Sequence, residues 1–354
     1  MAKLYEAGVG PVYLNFLDSY LQPRRATVVV EGTMSDEIEI MNTVFQRTVL
    51  GLPLWNTFFN DVSKVPLELG ADPAMFADDL NIFKQFDRLE NNAGAKRRME
   101  VCRARVHTWG RCNRVSFDAG KEHLVVLHPI SGEGETFRLL GCQVDVKLIM
   151  QQAIDKILTE IRPKVKAILR TRKHYDSKDL IGQFKTHIWS RMEMHNGAIF
   201  HASDYLLEKI ERVQQGFLRD LEISEEEAYL NYNFAPPKLR RNIGILGLLH
   251  KRVVGVSHPV FSKLLPFAAD AGQFIRIDGH DKQLYGHLHE VHCQLSMHFR
   301  SIFAMTYIYN GLPQFVIDAD SVTKFQKHLS TMARNRCAIG AENWKDMFSC
   351  RDRS

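Results

Sequence analysis

The chain has few cysteines for its length and no feature of a secreted or membrane-spanning protein. Six cysteines are scattered over 354 residues, and no two of them form a CxxC pair. The opening segment MAKLYEAGVG lacks the apolar stretch of a signal peptide, and no apolar run approaches the roughly 20 residues that a membrane span requires. We therefore expect reduced thiols in an intracellular protein of the nucleus or cytoplasm, with no membrane partner.

Several signatures of hydrolases and nucleotide-binding enzymes are also missing. The chain contains no GxSxG nucleophile elbow and no Walker-type glycine loop, which argues against a serine hydrolase and a P-loop enzyme. Its formal net charge of +5 is a mild basic excess, which permits a phosphate-rich partner without requiring one. Any prediction of function therefore depends on local sequence patterns.

Hydrophobic patterning divides the chain into an α+β portion and a helical remainder. Before about residue 147, short β-branched or alternating runs such as ATVVVE (26–31), its partner SDEIEI (35–40) and EHLVVLHP (122–129) predict strands. From about residue 149, apolar residues recur at helical spacing, first over 154–168 and again over 206–217. The predicted fold class is α+β, with the sheet-forming part first.

The stretch AMFADDLNIF, residues 74–83, places Asp78 and Asp79 between two apolar runs of strand length. This pattern predicts a hairpin with the aspartates at its tip. Because a turn breaks the alternation of side chains along a strand, both carboxylates can approach one site. Mg²⁺ prefers carboxylate oxygens and would neutralise such a pair, whereas the alternative is a solvated turn without function.

Four segments follow one another in an order that resembles a known family. They are VFQRTVLGLPLWNTFFNDV (44–62), Phe76-Ala77-Asp78-Asp79, VHTWGRCNRVSFDAGKEHLVVL (106–127) and FRLLGCQVDVKL (137–148). In this order and spacing they resemble the catalytic boxes and the primer grip of the reverse transcriptases of non-LTR (LINE-type) retrotransposons. The segment IYNGLPQFVIDADSVTKFQKHL (308–329) resembles the closing part of many such reading frames. The resemblance covers most of the chain and is tightest over 26–146.

The resemblance implies part of a right-hand polymerase. Residues 1–147 would form the later part of the palm, 148–235 a thumb-like helical region and 236–354 a C-terminal helical region. The implied reaction is RNA-directed DNA synthesis, with an RNA template, a DNA primer and deoxynucleoside triphosphates as partners. Two Mg²⁺ ions would be the cofactor.

The same resemblance implies roles for three catalytic residues. Asp78 would hold the catalytic Mg²⁺ ions, and Asp79 would support it as a second metal ligand. Lys121 would lie near the nucleotide triphosphate and protonate the leaving pyrophosphate. The alternative for Lys121 is an ordinary surface lysine.

Other residues would contact the substrates. Gln46 would lie against the template and the incoming nucleotide, with Arg47 beside it in the same space. Phe76 and Ala77 would border the nucleotide and the primer end, although Phe76 is also compatible with a core aromatic position. Leu140-Gly141 would form the centre of the primer grip.

A basic stripe follows the predicted palm. Within RPKVKAILRTRKH (162–174), Lys166, Arg170 and Lys173 recur with Arg162 at helical spacing, opposite an apolar face. Such a face suits a thumb helix that tracks a nucleic-acid backbone. The alternative is a solvated charged face.

Two departures from the family predict a catalytic defect. The family carries an earlier aspartate box, upstream of a helix resembling AKLYEAGV, and this chain begins at that helix. Arg47 stands where the family has glycine, and Leu52 stands where it usually has proline. We therefore expect a fragment that is inactive alone. The alternatives are a non-catalytic nucleic-acid-binding remnant and an unstable translated fragment with exposed apolar palm surface.

Histidines concentrate in GHDKQLYGHLHEVHCQLSMHF, which spans His280 to His298. Their spacing with Cys293 fits no zinc-finger pattern, so the sequence predicts a histidine-rich surface and not a zinc site.

Overall fold

The computed structural model describes residues 1–40, 44, 48–87, 89–272, 279–286 and 296–351. Gln46 and Arg47 lie outside the described residues, as do most members of the histidine-rich segment, namely His287, His289, His292 and Cys293. The chain divides into two compact units, Met1–Val126 and Leu127–Ser354. Each unit has buried clusters of its own.

The structure is mixed α/β and compatible with the α+β class. It is 56% helical, and its strands form small antiparallel sheets. In the described part of the chain, each sheet has two strands. None of the described helices combines the length and the hydropathy that crossing a bilayer requires.

The first unit alternates short helices with short strand pairs and ends in one long helix. Its helices are α1 (Ala2–Glu6), α2 (Pro11–Tyr20), α3 (Gly51–Phe59), α4 (Lys64–Glu68) and α5 (Asn92–Asn113), with 3₁₀ turns at Asn60–Ser63 and Ala119–Lys121. Its strands are β1 (Arg24–Ala26), β2 (Val29–Val30), β3 (Thr33–Met34), β4 (Ile38–Ile40), β5 (Asp72–Phe76) and β6 (Asp79–Phe83).

The strand predictions in this unit have mixed outcomes. The hairpin predicted for 26–40 is present as two short pairings, β1 with β4 and β2 with β3. The strand predicted for 122–129 is wrong, since residues 122–125 have no regular structure and only Val126 makes a single bridge. A β-branched run forms a strand only when a partner strand lies beside it, and none of the described strands pairs with this segment.

The buried clusters of the first unit are small. One contains Leu4, Leu17 and Leu54, which bring α1, α2 and α3 together. The other is built on Phe59, Val62 and Val106. Met75, Leu80 and Ile82 of the β5–β6 pair pack against this second cluster, together with Trp55 and Trp109.

The second unit is almost entirely helical after one strand pair. The strands are β7 (Phe137–Leu139) and β8 (Cys142–Val144). The helices are α6 (Gln151–Arg170), α7 (Ser177–Phe184), α8 (Ser190–Glu193), α9 (Asn196–Ile199), α10 (Asp204–Asp220), α11 (Glu225–Tyr232), α12 (Pro237–Val253), α13 (Val260–Leu264), α14 (Ser296–Phe299), α15 (Ile302–Asn310), α16 (Gln314–Ile317) and α17 (Val322–Ala338), with a π-helical turn at Lys185–Trp189 and a 3₁₀ turn at Trp344–Asp346.

Helix packing in this unit confirms the predicted periodicities. The apolar positions of 154–168 are all buried in α6, and those of α10 face them from across one large cluster. A second large cluster joins α12, α15 and α17 around Leu239, Tyr309 and Phe325, each fully buried. The β7–β8 pair, assigned by the resemblance to the palm, lies in this unit, and the division into palm, thumb and C-terminal regions stays a prediction.

Candidate functional site

The predicted hairpin around the paired aspartates is present. Strands β5 and β6 pair antiparallel, with Met75 opposite Leu80 and Phe76 opposite Asp79. Ala77 and Asp78 are the two residues that connect the strands, and Ala77 has a left-handed backbone with φ of 54°. A two-residue connection of this kind needs positive φ in its turn, which an alanine adopts at some cost in strain.

The tip of this hairpin is anchored to helix α3. The indole Nε1 of Trp55 donates a hydrogen bond of 3.0 Å to the carbonyl oxygen of Ala77. Trp55 in turn stacks on Phe59, with ring centroids 5.1 Å apart. Met75 and Leu80, a cross-strand pair close to the tip, are half-buried and pack against the cluster that contains Phe59. The tip is therefore held in place by the small cluster beneath it.

Both carboxylates are presented to solvent. Asp78 lies in the turn and Asp79 begins β6, and both side chains are exposed. Asp79 is directly opposite Phe76, so the two side chains share one face of the hairpin. Phe76 is 65% exposed, which rules out a core role for this aromatic. The hairpin thus presents two oxygen ligands beside an exposed ring.

These carboxylates match the preference of Mg²⁺ for oxygen ligands but form an incomplete set. Among the described residues, no group of three or more His, Cys, Asp or Glu side chains is placed to hold a metal ion. Two carboxylates with water supply part of an octahedral shell and leave positions open for phosphate oxygens. The tip therefore offers a partial cation site.

Lys121, the predicted proton donor, lies at the end of the 3₁₀ turn that follows α5. Its side chain is 85% exposed, and its Nζ lies 3.8 Å from Oδ2 of Asp118. Asp118 caps this turn by accepting a 2.9 Å hydrogen bond from the backbone of Gly120. Among the described contacts, Lys121 pairs with Asp118 and with neither tip aspartate.

The second unit contains the predicted primer-grip turn. Leu140 and Gly141 connect β7 to β8, and both have positive φ, 45° and 87°. Two positive φ values are characteristic of a tight hairpin turn, for which Asn-Gly is the preferred pair. Leu140 is 53% exposed. His195 lies close by, since a Cβ placed on Gly141 would come 3.6 Å from its Cε1 atom.

The helix that carries the basic stripe ends earlier than the sequence predicted. Lys166 and Arg170 lie on α6 and are exposed, but the helix ends at Arg170, so Lys173 lies in the turn that follows. Thr171 helps to end the helix, because its hydroxyl donates a 2.7 Å hydrogen bond to the carbonyl of Ile168. Within the described residues, neither Lys166 nor Arg170 forms an ion pair, so both cations are available to an anionic ligand.

The surface predicted for the histidine-rich segment is wrong at His280. This side chain is only 2% exposed. Its Nε2 donates a 3.1 Å hydrogen bond to the carbonyl of Tyr309, and its Nδ1 accepts one from the backbone N–H of Lys282. Burial lowers the pKa of His280. The histidine is therefore part of a core network.

Sequence reasoning missed features that arise between helices distant in the chain. Glu211 of α10 and Arg241 of α12 form a buried ion pair of 2.6 Å, and burial raises the pKa of Glu211 against the opposing effect of Arg241. Lys209 and Arg212 of α10 face α6 across an open groove. The partners of Glu211 and Lys209 lie on other helices, so no local pattern reveals them.

No protein-family model, curated protein or solved structure matches the chain. The roles of the tip aspartates, Lys121, the Leu140-Gly141 turn and the basic face therefore stay predictions that rest on the residues and on the reverse-transcriptase resemblance.

Proposed function

We propose that the chain is the palm-and-thumb part of a non-LTR retrotransposon reverse transcriptase, an RNA-directed DNA polymerase. The supporting observation is the β5–β6 hairpin, which presents Asp78 and Asp79 to solvent at a tip anchored by Trp55. Carboxylate oxygens are the ligands that Mg²⁺ prefers, and an exposed pair leaves coordination positions open for phosphate oxygens. The natural partners are an RNA template, a DNA primer and deoxynucleoside triphosphates.

In this proposal Asp78, Asp79, Trp55 and Lys121 each have a defined task. Asp78 and Asp79 would hold Mg²⁺, which when bound activates the attacking hydroxyl and stabilises the leaving pyrophosphate. Trp55 fixes the carbonyl of Ala77 and so keeps the turn from rotating away from the substrate. The exposed ammonium of Lys121 carries the proton that the leaving group needs.

We further propose that the chain does not polymerise by itself. In-line transfer between two metal ions needs more carboxylate ligands than the two aspartates at the tip. Within the described part of the chain, no third acidic or histidine side chain completes their site. The long cation of Arg47, in the place of a glycine in the family, would crowd the nucleotide in addition.

Primer extension tests catalysis directly. The purified chain is incubated with an RNA template, a labelled DNA primer, deoxynucleoside triphosphates and Mg²⁺. We expect no extended product. Extension by the wild-type chain that Asp78→Ala abolishes would refute the proposed inactivity and establish the polymerase.

A cleavage experiment tests the metal site without requiring activity. Fe²⁺ occupies Mg²⁺ sites and, with peroxide and ascorbate, cuts the polypeptide nearby. We expect cleavage near residues 76–81 that is lost in Asp78→Ala/Asp79→Ala and kept in Asp36→Ala, an exposed aspartate of the other hairpin. Cleavage that is absent at the tip, or unchanged in the double variant, would rule out a metal site there.

The second candidate function is non-catalytic nucleic-acid binding. It rests on Lys166 and Arg170, exposed cations of α6 that have no ion-pair partner among the described residues. We expect Lys166→Glu/Arg170→Glu to weaken binding of an RNA–DNA hybrid and to reduce the salt slope by about 1.8, roughly 0.9 per phosphate contact. The matched control is Lys324→Glu, because Lys324 already pairs with Asp320 at 2.7 Å. An unchanged slope would argue against this surface.

The behaviour of the purified chain in solution distinguishes both functions from the remaining alternative, an unstable fragment without function. It requires aggregation or non-cooperative unfolding of the purified chain, whereas metal binding and nucleic-acid binding require that each unit unfolds cooperatively. The free thiols of the described cysteines suit the reducing environment of the nucleus or cytoplasm, where we place the protein.

A further inference from the structure

Helices α6 and α10 leave an open groove of about 320 Å³ between them. Its floor is apolar and is formed by Val165, Leu169, Val213 and Phe217. Gly216 also lines it and contributes no side chain, so the groove stays open at that point. The volume lies at the lower end of the range of small-ligand pockets and suits a few apolar side chains.

The rim of the groove is mainly basic, with four cations and one acidic residue, Asp220. Arg162 and Lys166 of α6 line it, together with Lys209 and Arg212 of α10. Lys209 and Arg212 have partners on the protein, Asp155 at 3.6 Å and Glu208 at 3.2 Å. Arg162 and Lys166 form no ion pair within the described residues. The two unpaired cations therefore favour a ligand that carries negative charge on the α6 side of the groove.

The apolar floor distinguishes between two kinds of anionic ligand. A nucleic-acid backbone would satisfy the cations but leave the floor without contacts, and bases bind such grooves by stacking on exposed aromatic faces. The aromatic ring among the described lining residues is Phe217, and it is only 1% exposed. An amphipathic helix places apolar anchors in a groove and charged residues on its flanks, which matches both features.

We propose that this groove binds an acidic amphipathic helix of a partner protein. Its apolar residues, spaced three and four apart, contact Leu169 and Val213, which are partly exposed, and its carboxylates pair with Arg162 and Lys166. A helix bound there covers Lys166 and excludes nucleic acid from that part of α6. The proposal goes beyond the polymerase and does not depend on it.

Gly216 provides a selective way to close the groove. A Cβ placed on Gly216 would meet only Nη2 of Arg219, at 3.9 Å, so alanine fits without a clash. Because Gly216 lines the groove, a leucine side chain at the same position would occupy part of it. Gly216→Ala is therefore the matched control for Gly216→Leu.

The test is a selection with a defined probe. A display library of helical peptides of about 15 residues, four turns in length, is randomised at apolar and charged positions alike and selected on the full chain. We expect the selected peptides to be acidic, with apolar residues at helical spacing. Their affinities are then measured by fluorescence anisotropy.

Variants decide whether these peptides occupy the groove. We expect about tenfold weaker binding to Gly216→Leu and to Arg162→Glu/Lys166→Glu, with little change for Gly216→Ala and Lys324→Glu. Circular dichroism melting checks that each variant is folded. If Gly216→Leu does not fold, the double charge-reversal variant alone tests whether the peptides occupy the groove.

Two outcomes would overturn the proposal. The first is a selection that yields no acidic amphipathic peptide, or peptides that bind Gly216→Leu as tightly as wild type. The second is a loss of RNA–DNA hybrid binding in Arg162→Glu/Lys166→Glu with peptide binding unchanged, which would make the rim a nucleic-acid surface. Failure of primer extension or of metal cleavage leaves the groove proposal unaffected.

Discussion

Single histidines of the second unit act as neutral hydrogen-bonding groups in the core. His250 is fully buried, and its Nε2 donates a 2.9 Å hydrogen bond to the carbonyl of Ala319. Its Nδ1 therefore accepts the 3.0 Å hydrogen bond from the Tyr309 hydroxyl. The ring stacks on Phe325, with centroids 4.1 Å apart. Burial lowers the pKa of His250, although the bond to Ala319 opposes this.

This lowered pKa predicts loss of stability in mild acid. The unfolded chain protonates His250 near its ordinary pKa of about 6.5, while the folded chain protonates it only at lower pH, so the unfolded state binds more protons as the pH falls through that value. We expect the free energy of unfolding to fall as the pH decreases from about 7.5 to 5.5. Burial also lowers the pKa of His201 and His280, which adds to the effect.

The variant His250→Phe isolates the contribution of this one residue. It keeps the ring stacked on Phe325 but leaves the Tyr309 hydroxyl and the Ala319 carbonyl unpaired, which should cost about 2 kcal/mol at neutral pH. Urea titrations at both pH values should show a smaller pH dependence than in wild type. A pH dependence equal to that of wild type would show that His250 already titrates normally.

At the scale of elements, the turn between β7 and β8 contains a leucine, Leu140, in a left-handed backbone conformation that leucine rarely adopts. Leu140 has φ of 45° and is 53% exposed, so it gains little from packing to offset the left-handed conformation. Such a conformation costs a residue with a Cβ roughly 1–2 kcal/mol. A strained, exposed apolar residue at a turn is often retained for contact with a ligand.

We expect Leu140→Asn to raise stability by about 1 kcal/mol, because Asn-Gly is the favoured pair for this turn. Thermal unfolding measures the gain, and Leu140→Ala, which has no such preference, should show none. If Leu140 contacts the primer, the stabilised variant should also bind an RNA–DNA hybrid more weakly. A melting temperature that is unchanged or lower in Leu140→Asn would contradict the assigned strain.

Elements that depend on the local sequence pattern could be predicted, whereas features that depend on contacts between distant parts of the chain could not. The β5–β6 hairpin follows from two apolar runs around Asp78-Asp79, and α6 follows from its apolar spacing. The strand expected over 122–129 failed because no described strand pairs with it. The burial of His280 against Tyr309 joins residues far apart in the chain. The same holds for the groove between α6 and α10, which no local pattern reveals.

At the scale of the whole molecule, the two units differ in how much they bury. Each cluster of the first unit has three buried residues at its centre. The clusters of the second unit extend over α6 to α10 and over α12 to α17. The first unit also exposes large apolar side chains, including Tyr13 at 70% and Phe16 at 56%. Since burial of apolar surface is the main source of stability, the first unit should be the weaker one.

This difference predicts two unfolding transitions, and the four tryptophans can report them separately. Trp55 and Trp109 lie in the first unit, whereas Trp189 and Trp344 lie in the second. Fluorescence of Trp189→Phe/Trp344→Phe follows the first unit with its core unaltered, and that of Trp55→Phe/Trp109→Phe follows the second.

We expect the first unit to unfold at lower urea concentration and with a smaller m-value, because it exposes less surface on unfolding. Coincident transitions in the two variants would show instead that the units unfold as one cooperative body. Separate transitions would mean that α6 stays folded, and can still bind, at urea concentrations that already unfold the aspartate hairpin. Binding of the RNA–DNA hybrid should then persist at intermediate urea, after the fluorescence change of the first unit is complete.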